Sequence, residues 1–133
     1  MKVALVDNGS LEPAAHESLR RAARAVAKMA EVSVEAVSWR HSDRIAPAAL
    51  AGDPALTLAP WIRSQFAAGE REFVLIPFFI SPQGAIGSLL RRDLEALRRE
   101  LGAFDYSFTD GLPAGPVLSE IVADRVRAIN MGG

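Results

Sequence analysis

Two short segments hold the side chains best suited to chemistry. One is Asp7-Asn8-Gly9-Ser10, with Glu12 and Pro13 just after it; the other is Arg40-His41-Ser42-Asp43-Arg44. A neutral imidazole binds a divalent metal or acts as a base near neutral pH. Asp43, two residues from His41, is close enough in sequence to orient that ring or share its ligand shell. Backbone amides at Gly9 and Ser10, close to a helix start, suit an anion. One glycine falls short of a P-loop or dinucleotide fingerprint. Turn chemistry accounts for the same residues: Asn8-Gly9 as a tight turn, Ser10 or Glu12 as a helix cap. His41 fits equally as an exposed histidine in a mixed-charge turn. The other histidine, His16, falls in the first turn of a predicted helix and reads as a surface residue. Arg91 and Arg92, on a later helix, either reach acidic groups or face solvent.

Composition removes several classes of function. There is no cysteine, which excludes disulfides, thiolate metal sites and cysteine nucleophiles. Fifteen basic side chains against sixteen acidic ones leave no basic excess, so nucleic acid is not the expected partner. The first apolar run stops at Asp7, short for a signal peptide or a membrane span. A soluble cytoplasmic protein is the expectation. No Ser-His-Asp order, HExxH, Walker or paired-cysteine motif is present.

The elements that must position these residues alternate strand and helix. KVALVD (2–7) is a nearly continuous apolar run, as for a strand buried on both faces. Pro13 suits a first helical turn, and Leu19, Ala22, Ala23, Val26 and Ala30 form an apolar stripe beyond it. EVSVEAVSW (31–39) has β-branched residues at alternating positions and predicts a second strand. A loop rich in Ala, Pro and Gly ends at Gly52-Asp53-Pro54, where Asp53 and Pro54 would start a helix. Pro60 sits awkwardly inside that helix, so helix is expected from about Leu58 to Ala68, stopped by Gly69.

FVLIPFFI (73–80) predicts a central strand, with Pro77 marking where regular pairing fails. After the loop SPQGAIGS (81–88), Leu90, Leu94, Leu97 and Leu101 mark a helix closed by Gly102. FDYSF (104–108) predicts a fourth strand, and Leu118, Ile121, Val122 and Ile129 a final helix. Four βα units predict one α/β domain, a three-layer sandwich around a four-stranded parallel sheet in the order 2-1-3-4, flavodoxin-like. Ligands in such sheets sit beyond the C-terminal strand ends. The search therefore narrows to loops 7–13, 39–53, 78–89 and 109–116.

Two of these stretches, DNGSLEP after the first strand and PFFISPQGAIGSLLRRDL after the third, resemble the small CbiX/SirB chelatases. Those proteins insert cobalt, nickel or iron into sirohydrochlorin during cobalamin, coenzyme or siroheme synthesis. Their pattern is a first-strand HGS followed shortly by proline. Their second motif is an apolar strand ending in Pro-Leu-Phe, then Ser-Pro-Gly-x-His and a nearby acid. Gly9 and Ser10 match the first motif, and Ser81, Pro82 and Gly84 the second; the family's two metal-handling histidines align with Asn8 and Ala85. The resemblance implies a single chelatase-like domain over 1–133, working as a homodimer. It also implies a divalent metal as substrate, no organic cofactor, and a polyacidic tetrapyrrole as the ligand.

With both imidazoles replaced, the ligand set has moved or the activity is lost. His41 is the residue to which it would move, since strands one and two are neighbours about 5 Å apart in this fold. The expectation is that His41, Asn8 and Asp7 handle the metal and that His41 or Asp43 accepts pyrrole protons. Gly9, Ser10, Ser81, Gly84 and Ala85 would line the macrocycle. Arg40, Arg44, Arg91 and Arg92 would hold its carboxylates. The alternative is a noncatalytic binder of a tetrapyrrole or other anion, or a regulatory subunit, on the same fold.

Overall fold

The computed structural model describes residues 1–78 and 85–109. Ser81, Gly84, the end of the third predicted strand, the fourth loop beyond Thr109 and the predicted final helix lie outside them. The chain runs β1 (Lys2–Asp7), α1 (Pro13–Ala30), β2 (Val34–Ser38), β3 (Leu56–Thr57), α2 (Leu58–Ala67), β4 (Glu72–Pro77), α3 (Ala85–Leu101) and β5 (Asp105–Phe108). All pairings are parallel, in the order β3-β2-β1-β4-β5. The four predicted strands keep their predicted order. Among the described residues the sheet is nonetheless five-stranded, because the two-residue β3 adds itself to the edge beside β2.

Strand alternation sorts the core into two halves. In register, Val3 sits beside Val74 and Ala4 beside Leu75, so side chains of like parity share a face. Val3, Leu5, Val74 and Ile76 pack under α1 with Leu19, Ala23 and Val26. Ala4, Val6, Val37, Phe73 and Leu75 pack on the other face with Trp61 and Ile62 of α2 and Leu90, Leu94 and Leu97 of α3. This half also holds an aromatic cluster: Trp61 and Phe104 both meet Phe73 edge-on, with centroids 5.6 and 5.5 Å away. No described helix is long and apolar enough to cross a membrane.

Three boundaries differ from the sequence reading. The second strand starts at Val34 and not at Glu31, because Glu31 takes a left-handed φ of 56° and donates its N–H to the Ala27 carbonyl, closing α1. No helix starts at Asp53-Pro54. Two 3₁₀ turns, Ser42–Arg44 and Pro47–Leu50, and then β3 occupy that stretch. Pro60 is accommodated at the third position of α2, where the N–H it lacks has no intrahelical partner in any case. Finally, α3 already begins at Ala85, inside the expected loop. A glycine such as Gly87 costs a helix only about 1 kcal/mol relative to alanine, less than the buried leucine stripe beyond it contributes.

Candidate functional site

Loops one and two meet at the C-terminal edge of β1 and β2, and a row of serines joins them. The Ser10 amide donates to Ser42 Oγ at 3.3 Å, Ser42 Oγ lies 3.2 Å from the Ser10 carbonyl and 2.8 Å from Ser38 Oγ, and the Ser10 hydroxyl accepts from the Glu12 amide at 3.0 Å. Glu12 is the N-cap of α1 and makes no side-chain capping bond. The Arg40 amide donates to the Asn8 carbonyl at 3.4 Å. Gly9, at φ +99°, lies so near Arg40 that a Cβ there would stand 1.7 Å from the Arg40 carbonyl oxygen. Gly9 and Ser10 are thus committed to joining the two loops. Asn8 is exposed.

Beyond the end of β2 opens a groove of about 560 Å³ between loop two, the start of α2 and one face of α3. Loop two contributes Arg40, His41, Asp43 and Arg44, four of the residues singled out in the sequence. His41 is held at φ 76° and ψ −36°, a positive φ uncommon for a non-glycine residue, where the Ser42 amide donates to the Arg40 carbonyl at 3.0 Å. Trp39 forms a wall: its indole N–H donates to Asp93 Oδ2 at 2.8 Å, and the Arg40 guanidinium lies 4.3 Å from its ring centroid. Arg40 also pairs with Asp93 at 3.1 Å, and Arg63 with Glu100 at 2.8 Å. Among the described residues Arg44 makes no ion pair.

Other expected members are elsewhere. Asp7 shares the parity of Val3 and Leu5, so its carboxylate faces α1, across the sheet from the groove, and is not brought to His41. Among the described residues no three His, Asp or Glu side chains cluster to hold a metal. Arg91 stacks over Phe108, 5.1 Å from its centroid, and neither Arg91 nor Arg92 lines the groove. Ala85 opens α3; Ser81 and Gly84 lie outside the described residues.

Under α1 lies a second polar cluster that contradicts the reading of His16 as a surface residue. His16 is 1% exposed, with Nδ1 3.4 Å from Ser38 Oγ and Nε2 without a partner. Asp7, the register neighbour of Ser38, has Oδ1 buried and unpartnered. Burial raises the Asp7 carboxyl above its ordinary pKa, against pulls from Ser38, His16 and the Gly9 amide. His16 is lowered by burial and then by Arg20, partly offset by Asp7, Glu17 and Asp53. The signal was present in the spacing: 16, 19, 23 and 26 form one helical stripe, and His16 continues the apolar face of Leu19, Ala23 and Val26.

Sequence reasoning also passed over Thr57, Arg63, Asp93 and Glu100, which line the groove. The positions 93, 96, 97 and 100 were readable as one face of α3; their proximity to Trp39 was not. No protein-family model matches the chain, and no curated protein matches it.

Proposed function

We propose that this chain is a chelatase-like domain of the CbiX/SirB type that binds a polyacidic tetrapyrrole at the C-terminal edge of its sheet, with a divalent metal, cobalt, nickel or iron, as co-substrate. The observation that carries the reading is the groove, which gathers His41, Asp43, Arg40 and Arg44 from one loop beside the strand ends. Guanidinium groups bind carboxylates in bidentate fashion, and His41 supplies the neutral imidazole that such metals favour. In this reading His41 holds the metal, Asp43 takes up pyrrole protons, and the domain works in the cytoplasm as a homodimer with no organic cofactor. A flavodoxin-like, chelatase-like frame is the finer fold assignment that goes with it.

The second reading is a noncatalytic carrier of the same ligand class. It is favoured by the separation of Asp7 from His41 and by Asn8, whose amide is a weak base. Following the visible spectrum of sirohydrochlorin with cobalt(II) separates the two. Insertion faster than the spontaneous rate, and lost in His41→Ala, supports the chelatase. A spectral shift without acceleration supports the carrier. An unchanged spectrum removes both.

A further inference from the structure

The three arginines of the groove are held in three different ways. Arg63 is spent on Glu100 through two parallel bonds, Nε to Oε2 at 2.8 Å and Nη2 to Oε1 at 3.1 Å, a fork that ties α2 to α3. Arg44 lines the same space and makes no ion pair among the described residues. Arg40 lies between these extremes. Its guanidinium rests 4.3 Å from the Trp39 ring centroid and gives a single bond, Nη2 to Asp93 Oδ2 at 3.1 Å. A guanidinium carries five N–H donors in a planar fork, so one bond to Asp93 leaves Arg40 a full bidentate edge.

The same Asp93 oxygen accepts the Trp39 indole N–H at 2.8 Å. Trp39 is itself fixed: it is buried in the core half that holds Leu94 and Leu97, and its amide donates to the Asp7 carbonyl at 2.8 Å. The Arg40 backbone is held as well, its amide on the Asn8 carbonyl and its carbonyl under the Ser42 amide. A buried indole thus orients the carboxylate, and the carboxylate and the ring face together orient the guanidinium. An arginine held in this way has already lost much of the rotamer freedom that an unpaired one loses on binding.

We propose that Asp93 is a positioning residue that holds Arg40 ready to take one carboxylate of a ligand in the groove, with Trp39 as the surface on which the guanidinium lies. This rests on the reading of the groove as the site of a polyacidic ligand, and it makes Arg40 the preorganised anchor of that site. Asp93 acts on an anion in two opposing ways: its charge repels the ligand, and its bond orients the arginine that receives it. Arg40 and Asp93 both reach solvent, with 53% and 33% of their side chains exposed, so water and salt screen the repulsion. The entropy advantage of a held side chain is not screened. Orientation therefore outweighs repulsion, and removing the negative charge of Asp93 weakens the binding of an anion.

The test is an amide chemical-shift titration of the full chain with tricarballylate, a small tricarboxylate, at constant ionic strength. Saturable shifts in loop two are expected for wild type. Arg40→Ala should weaken binding roughly tenfold, the loss of a charge-assisted pair. Asp93→Asn, which keeps an acceptor for the indole, should weaken it about threefold or more. In the Arg40→Ala background Asp93→Asn should change nothing further, because Asp93 acts through Arg40; a purely structural role would weaken that background too. Trp39→Phe keeps a ring under the guanidinium but removes the N–H that orients Asp93. It should match Asp93→Asn, and it decides the matter if Asp93→Asn does not fold. Arg99→Ala, outside the groove, should bind as wild type. Binding that Asp93→Asn leaves equal or makes tighter would overturn the proposal and leave the carboxylate-binding reading intact, as would a further loss in the Arg40→Ala background. No saturable shift in wild type would overturn both.

Discussion

Gly9 and the carbonyl of Arg40 are in direct backbone contact: a Cβ on residue 9 would stand 1.7 Å from that oxygen, and residue 9 has φ +99°. The glycine that sequence reading offered as an anion cradle is what lets loop one rest on loop two. Gly9→Ala must relieve both a backbone clash and a strained φ. A loss of about 3 kcal/mol or more is expected from a chemical-denaturation midpoint. A variant within about 0.5 kcal/mol of wild type would mean the two loops are not packed this way.

The His16 and Asp7 pair makes stability depend on pH in opposite senses. For His16 the folded-state pKa is lowered from 6.5, so below that value the unfolded chain binds the extra proton and the fold loses stability as pH falls. For Asp7 the folded-state pKa is raised from 3.8, so the fold gains stability as pH falls through the raised value. Denaturation midpoints between about pH 7.5 and pH 5 should fall in wild type and fall less in His16→Phe, which keeps the ring without the ionisation. Asp7→Asn removes the opposing gain and should steepen the fall. A pH profile identical in wild type and His16→Phe would place His16 in solvent.

The chain has one tyrosine, so its ionisation is read without interference. Tyr106 donates its hydroxyl to Glu95 Oε2 at 2.6 Å, and burial together with that carboxylate pushes its pKa up to about 12. The tyrosinate band should therefore appear only near pH 12 in the folded protein. Glu95→Gln should bring the transition down, since it removes the negative charge beside the phenol. Because the folded value exceeds the unfolded one near 10, this contribution to stability is present below pH 10 and is lost as pH rises toward 12. A transition near 10 in the native protein would show that Tyr106 and Glu95 are not bonded.

The four strands were legible because β1 and β4 are nearly continuous apolar runs while β2 and β5 carry β-branched or aromatic residues at alternating positions, and parallel pairing follows from the helical crossovers. β3 was not: it has two residues, Leu56 exposed and Thr57 buried, and owes its existence to pairing with Val37 and Ser38. Loop two was legible as chemistry, since Arg40, His41, Asp43 and Arg44 do line one groove. The other wall was not legible, because Asp93 and Glu100 come to Trp39 and Arg63 from α3, which lies across the groove. Asp7 was placed with His41 on the proximity of neighbouring strands. The pleat decides otherwise, turning alternate side chains to opposite faces.

The most direct test of the account is a titration of the protein into sirohydrochlorin, read as the visible spectrum without metal, for wild type and for Arg44→Ala. The account predicts a saturable spectral shift at micromolar protein in wild type and markedly weaker binding in Arg44→Ala, with Arg99→Ala as wild type. No shift in wild type, or a shift indifferent to Arg44, would contradict it.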